Sequence, residues 1–131
     1  MSEHKIQNDI RNALAGECML FRANVGRAWT GSDFIRLPNG DMLIKNPRPF
    51  DTGLPPGFGD LFGLATRIIT AEMIGQKVGV YVAADVKTST GRVTPKQAAY
   101  LRAVNDNGGC ADVWRSPADA LATVARAKGK V

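Results

Sequence analysis

The stretch "VGVYVAADVKTSTGRVTPKQ", residues 78–97, decides how the rest of the chain is read. Side chains alternate across a strand. That puts Val78, Val80, Val82, Ala84 and Val86 on one face and Gly79, Tyr81, Ala83, Asp85 and Lys87 on the other. The pattern predicts a strand over 77–87 that ends in a carboxylate and an amine side by side. "TSTG" (88–91) reads as a turn. Thr94, Pro95 and Gln97 then open a helix that runs to about Asn107, where "NGG" stops it.

Outward from this stretch the order is regular. "CADVWRS" (110–116) predicts a short strand, and Ser116, Pro117 and Asp119 start a last helix. The tail, 126–131, reads as frayed. Upstream, "DLFGLATRIIT" (60–70) predicts a strand that neighbours 77–87. Residues 27–59 read as a loop-rich insertion, in which "DMLIKN" (41–46) is one arm of a hairpin. "NPRPFDTGLPPGFGD" (46–60) is turn-rich and too stiff for a helix. "CMLFRANVG" (18–26) predicts a strand. Before it lies a helix capped by Ser2, with Glu3 in its first turn and Ile6, Ile10, Ala13 and Leu14 at helical spacing, ended by Gly16. The sum is a single α/β domain with a mixed central sheet flanked by helices.

A chain of 131 residues buries a core without staples. Its net charge of +5 favours a polyanionic partner. No apolar run approaches the ~20 residues that span a bilayer, and "MSEHKIQNDI" lacks a signal-peptide core. A cytoplasmic protein, with no membrane partner, is expected. Cys18 and Cys110 sit in apolar surroundings and predict buried thiols. With one histidine, His4, a His-based zinc site or a serine–histidine triad has little to draw on.

The chemistry centres on carboxylates. Asp60 opens the predicted strand beside the one that ends in Asp85 and Lys87. Two converging carboxylates repel each other, and a divalent cation removes the conflict. Mg²⁺ takes about six hard oxygen ligands. Asp60, Asp85, the Val86 backbone carbonyl and waters would suffice. Lys87 beside the cation would orient the attacking water or stabilise the pentacovalent phosphate charge.

The pattern "D … D-x-K" behind a helix carrying a glutamate resembles the PD-(D/E)xK nuclease superfamily. More narrowly the chain resembles the small stand-alone VRR-NUC domains of phages and bacteria. The carriers are "EHKIQNDI" (3–10), "FRANVG" (21–26), "GLPPGFGDLFG" (53–63), "VGVYVAADVKTSTGRVTPKQ" (78–97) and "GGCADVWRSPADAL" (108–121). The resemblance implies a restriction-endonuclease-like core and a Mg²⁺- or Mn²⁺-dependent DNA endonuclease. It further implies a homodimer acting on branched DNA such as Holliday junctions, in a bacterial or phage-infected cytoplasm. It makes Asp60 and Asp85 metal ligands, Lys87 the catalytic lysine and Gln97 an active-site glutamine. Glu3 becomes the acidic residue that completes the site, reaching the metal directly or through water. Two departures stand out. Gly59 occupies the place of the family's usual Pro, and Asp85 that of its usual Glu, one methylene longer.

Each residue has a plainer reading beside this one. Asp85 and Lys87 could form an exposed charge pair. Thr94-x-x-Gln97 fits a capping box. Glu3 suits a helix N-terminus on charge alone, and Asp60 could cap the turn after "PPGFG". Arg22, Asn24, Arg27, Arg92 and Lys96 are candidate phosphate contacts, as are Lys45 and Arg48, or else ordinary surface groups. Trp29 and Phe58 pack in a core or stack on bases. A nuclease fold that binds nucleic acid without cutting it is the alternative function.

Overall fold

The structure, a computed structural model, describes residues 2–130. Its elements are α1 (Glu3–Ala13), β1 (Met19–Arg22), β2 (Arg27–Thr30), β3 (Asp33–Arg36), β4 (Met42–Lys45), β5 (Arg48–Asp51), β6 (Leu61–Leu64), a 3₁₀ turn (Ala71–Met73), β7 (Val82–Val86), α2 (Pro95–Asp106), β8 (Cys110–Trp114) and α3 (Pro117–Ala127). The chain is α/β, with the expected helices in the expected order. Two compact units divide it: residues Leu20–Phe62, and the segments that flank them.

In the flanking unit, β7 and β8 run parallel, paired from Val82↔Cys110 to Val86↔Trp114. Parallel neighbours need a crossover, and α2 supplies it. Cys110 N–H donates to Tyr81 O (2.8 Å), and Lys87 N–H donates to Trp114 O (3.1 Å). Those two bonds set the phase of the ladder. Tyr81, Ala83, Asp85 and Lys87 turn their backbone groups toward β8, whereas Val82, Ala84 and Val86 turn theirs away.

The core forms where α2 covers one face of this pair. Leu101, Val104 and Ala111 are buried, with Tyr81, Ala83, Tyr100 and Val113 packed against them. Asp85 and Lys87 continue that same face beyond its apolar part. On the other face α3 packs, and Trp114 Nε1–H donates to the buried Thr123 Oγ1 (3.0 Å). Both helices end by the same device. After α2, Gly109 N–H reaches Val104 O and Gly108 N–H reaches Asn105 O. Gly108 takes a φ of +94°, which glycine adopts without steric cost. After α3, Lys130 N–H reaches Ala125 O and Gly129 N–H reaches Arg126 O. The tail expected to fray is therefore a formed helix end through Lys130. Val131 lies outside the described residues.

The outer edge of β8 is closed by side chains. Ala111 N–H donates to Asn105 Oδ1 (3.0 Å), Val113 N–H to Asp112 Oδ1 (2.8 Å) and Arg115 N–H to Asp119 Oδ2 (2.8 Å). Asn105 Nδ2 also donates to Ala111 O (2.9 Å) and Leu101 O (3.0 Å). One amide thus takes the place of a missing strand, which blunts an edge open to pairing.

Several expectations need correction. No single central sheet forms; the strands make four two-stranded ladders, β1–β6, β2–β5, β3–β4 and β7–β8. The strand expected over 77–87 forms only from Val82, because its partner begins at Cys110 and Gly108–Gly109 turns the chain away before that. The strand expected over 60–70 stops at Leu64, and Thr66 Oγ1–H donates instead to Asn107 O (2.7 Å). The strand expected over 18–26 is Met19–Arg22. Within residues 27–59 the hairpin arm expected over 41–46 forms as β4, paired with β3, and a second antiparallel ladder, β2–β5, forms beside the loops. Cys18 and Cys110 are free and half-buried, not buried. No helix among the described residues is long and apolar enough to cross a membrane.

Asn105→Ala leaves both Ala111 backbone groups unmet and should lower stability by about 1–3 kcal/mol in urea unfolding. A second test lies in the core. Burial, then the Tyr81 hydroxyl 3.0 Å away, pushes the Tyr100 phenol up from about 10 to about 12. The protonated form is favoured in the fold, so this contribution is complete below pH 10 and lost as pH rises through 12. In a phenolate absorbance titration one of the two tyrosines should ionise late. Tyr81→Phe should bring that midpoint part of the way back.

Candidate functional site

β7 carries its apolar residues to the point where α2 no longer covers them, and there it presents Asp85 and, one residue past its end, Lys87. Their side chains are 23% and 22% exposed, so the pair is not the freely solvated one of the plainer reading. Lys87 Nζ stands 3.3 Å from Asp85 Oδ2. The distance is that of an ion pair, but the alignment is not that of a hydrogen bond. Asp85 Oδ2 is buried with no hydrogen-bond partner. Thr52 Oγ1, in the other unit, shares that condition, but as a neutral hydroxyl it costs far less to leave so. A buried carboxylate oxygen that lacks a donor asks for a cation.

The backbone adds a second oxygen. By the phase of the ladder, Val86 C=O points away from β8. A carbonyl and a carboxylate oxygen are hard donors, suited to Mg²⁺, Mn²⁺ or Ca²⁺. Among the described residues, however, no three His, Cys, Asp or Glu side chains gather as a metal site. β6 pairs with β1 and β7 with β8, so the ladder expected to join the Asp60 strand to the Asp85 strand does not form. Asp60 lies in the other unit, exposed, its carbonyl accepting from Ala23 N–H (2.9 Å). Glu3 is exposed in the first turn of α1, where Lys5 N–H donates to Ser2 Oγ (3.2 Å). α1 buries no residue, and its Ile6 and Ile10 remain exposed.

Gln97 is a capping residue first. Its Oε1 accepts from Thr94 N–H (2.9 Å) while its own N–H donates to Thr94 Oγ1 (3.1 Å). That commits the amide oxygen and leaves the Nε2 donors. Arg92 and Lys96 are exposed around the same helix start. In the other unit Arg22 and Asn24 are exposed, and Arg27 lies opposite Asp51. Phe58 packs against Phe62 at 5.6 Å but is itself 36% exposed, and Trp29 is 59% exposed.

One residue of the site escaped the sequence reading. Arg115, just past β8, donates from Nη1 to Thr88 O (2.6 Å) and Gly91 O (2.7 Å). A single nitrogen thus holds both ends of the 88–91 turn. That turn backs the Lys87 stem: a Cβ on Gly91 would stand 3.4 Å from Lys87 Cβ and 3.5 Å from Lys87 Cδ. Arg115 lies 28 positions from Lys87, and no spacing rule links them. The parallel register, which sets β8 beside β7, does.

A cavity of about 310 Å³, lined by Leu64, Arg67, Tyr81 and Asn107 among others, opens at the amino end of β7, opposite to Asp85 and Lys87. That cavity is separate from the paired charges. No family model, no curated protein and no solved structure matches this chain.

Removing the clamp should free Lys87. In Arg115→Ala the Lys87 amine should acylate faster in competitive labelling read by mass spectrometry, approaching the exposed Lys128, with partial recovery in Arg115→Lys. Loss of one charge-assisted clamp should cost about 1–3 kcal/mol of stability.

Proposed function

We propose that this chain is a Mg²⁺- or Mn²⁺-dependent DNA endonuclease of the PD-(D/E)xK type, related to VRR-NUC domains and acting on branched DNA such as Holliday junctions. The observation that carries the reading is the buried, donorless Asp85 Oδ2, held beside the Lys87 ammonium at the carboxyl end of β7. Asp85 and the Val86 carbonyl would hold the metal, with Glu3 acting through water. When bound, the ion supplies Lewis-acid stabilisation of the phosphate charge. Lys87 sets a positive charge against the oxygens on which charge develops, from a side chain braced by the Gly91 turn. Gln97 offers its Nε2 donors to a phosphate while its Oε1 holds the helix cap. A two-fold dimer would match a two-fold junction.

One observation favours a second reading. Because no three potential ligand side chains gather among the described residues, a nuclease fold that binds nucleic acid without cutting it stays in contention.

Cleavage separates the two. On labelled single strand, duplex, flap, splayed arm and four-way junction, wild-type protein should cut with Mg²⁺ or Mn²⁺ and not with EDTA. Asp85→Asn and Lys87→Ala should each lower the rate by about a hundredfold or more while melting as wild type does. Salt-sensitive binding with no cutting under any metal would establish the second reading.

A further inference from the structure

The unit Leu20–Phe62 carries a surface that the site above does not use. β2 pairs with β5 and β3 with β4 in one continuous register, from Arg27↔Asp51 to Arg36↔Met42. The two ladders are therefore successive parts of one long hairpin. The joint between them is tight. Ser32 N–H donates to Lys45 O (2.9 Å), and Asn46 Nδ2 donates to Ser32 Oγ (3.0 Å). A Cβ on Gly31 would meet Lys45 O at 2.4 Å. The arm is thus braced where it would otherwise bend.

Its charges are sorted by face. Directly opposed residues share a face of an antiparallel pair. On one face of each ladder an acid meets a base, Arg27↔Asp51 in the first and Asp33↔Lys45 in the second. On the opposite faces there is no acidic residue. These carry Arg48 and Phe50 in one ladder and Arg36 and Phe34 in the other. All four are exposed, Phe50 at 53% and Phe34 at 49%. No ion pair engages either arginine among the described residues. Two open rings interleaved with two unopposed guanidinium groups suit a chain of stacked bases on a phosphate backbone. Rings take bases with little regard to sequence, and arginines take phosphates.

We propose that the acid-free faces of the hairpin bind unpaired nucleotides of a nucleic acid, with Phe34 and Phe50 stacking on bases and Arg36 and Arg48 holding phosphates. The choice of nucleic acid among polyanions rests on the nuclease reading.

The test is binding of fluorescein-labelled oligothymidine in EDTA, by anisotropy across a salt series, with heparin as a polyanion that lacks bases. Arg36→Ala and Arg48→Ala should each weaken binding and reduce the slope of log affinity against log salt by about 0.7. Phe34→Ala and Phe50→Ala should each weaken oligothymidine binding roughly tenfold. They should leave the salt slope and heparin binding as in wild type. Circular dichroism melts verify that each variant is folded. Wild-type affinity in all four folded variants overturns the proposal. So does a wild-type dimer that the phenylalanine variants turn into monomers with unchanged oligothymidine binding, since the faces would then belong to a second copy of the chain. If the arm binds as described and no DNA is cut, the nuclease reading fails and this one stands. If DNA is cut and the arm variants bind normally, the reverse holds.

Discussion

The parallel pairing of β7 with β8 is the constraint on which the flanking unit depends. Parallel strands cannot be joined by a tight turn, so the chain must travel back the length of β7 before it can start β8. α2 makes that journey over the apolar face and buries Leu101 and Val104 against Ala111. The same geometry returns the start of α2, with Gln97 and its exposed neighbours Arg92 and Lys96, to the end of β7 that bears Asp85 and Lys87. It also sets Arg115 beside the turn that leaves that end. A polar group at the carboxyl edge of such a unit gathers partners from elements distant in sequence, which is why these edges recur as binding sites in α/β folds.

The electrostatics of that edge are unbalanced by construction. Asp85 Oδ2 is buried, yet its nearest cation is poorly aligned to donate to it. A purely structural pair would close that last alignment, since a buried carboxylate oxygen without a donor loses part of its solvation. Lys87 is held where it is by its stem against Gly91 and by Arg115 behind the turn. The pair is three-quarters buried and its alignment is incomplete, and this is what favours a functional reading over a surface charge pair.

The hairpin of the other unit follows a different logic. Its acids are spent against bases on one face, leaving arginines and rings alone on the other. Register decides this, because a slip of one residue in an antiparallel pair would move every side chain to the opposite face. The ring contacts of the unit lie elsewhere, Phe21 and Phe58 each against Phe62. The rings and arginines of the acid-free faces stay exposed.

Much was legible in the sequence alone. The three helices announce themselves through Ser2, Thr94 and Ser116 as caps, and the first two through glycines at their ends, because capping is a local matter of four unmet N–H and C=O groups. The alternation in 82–86 likewise placed Asp85 and Lys87 on one face, since side-chain direction in a strand depends on nothing beyond the strand. Pairing is not local. Which strand lies beside which depends on contacts between distant residues. So the expected single sheet and the neighbouring of the Asp60 and Asp85 strands gave way, among the described residues, to two-stranded ladders. The Asn105 clamp on β8 and the Arg115 clamp behind Lys87 were hidden for the same reason. Their partners are backbone carbonyls and amides, which every residue possesses, and only the folded chain selects which of them a side chain will meet.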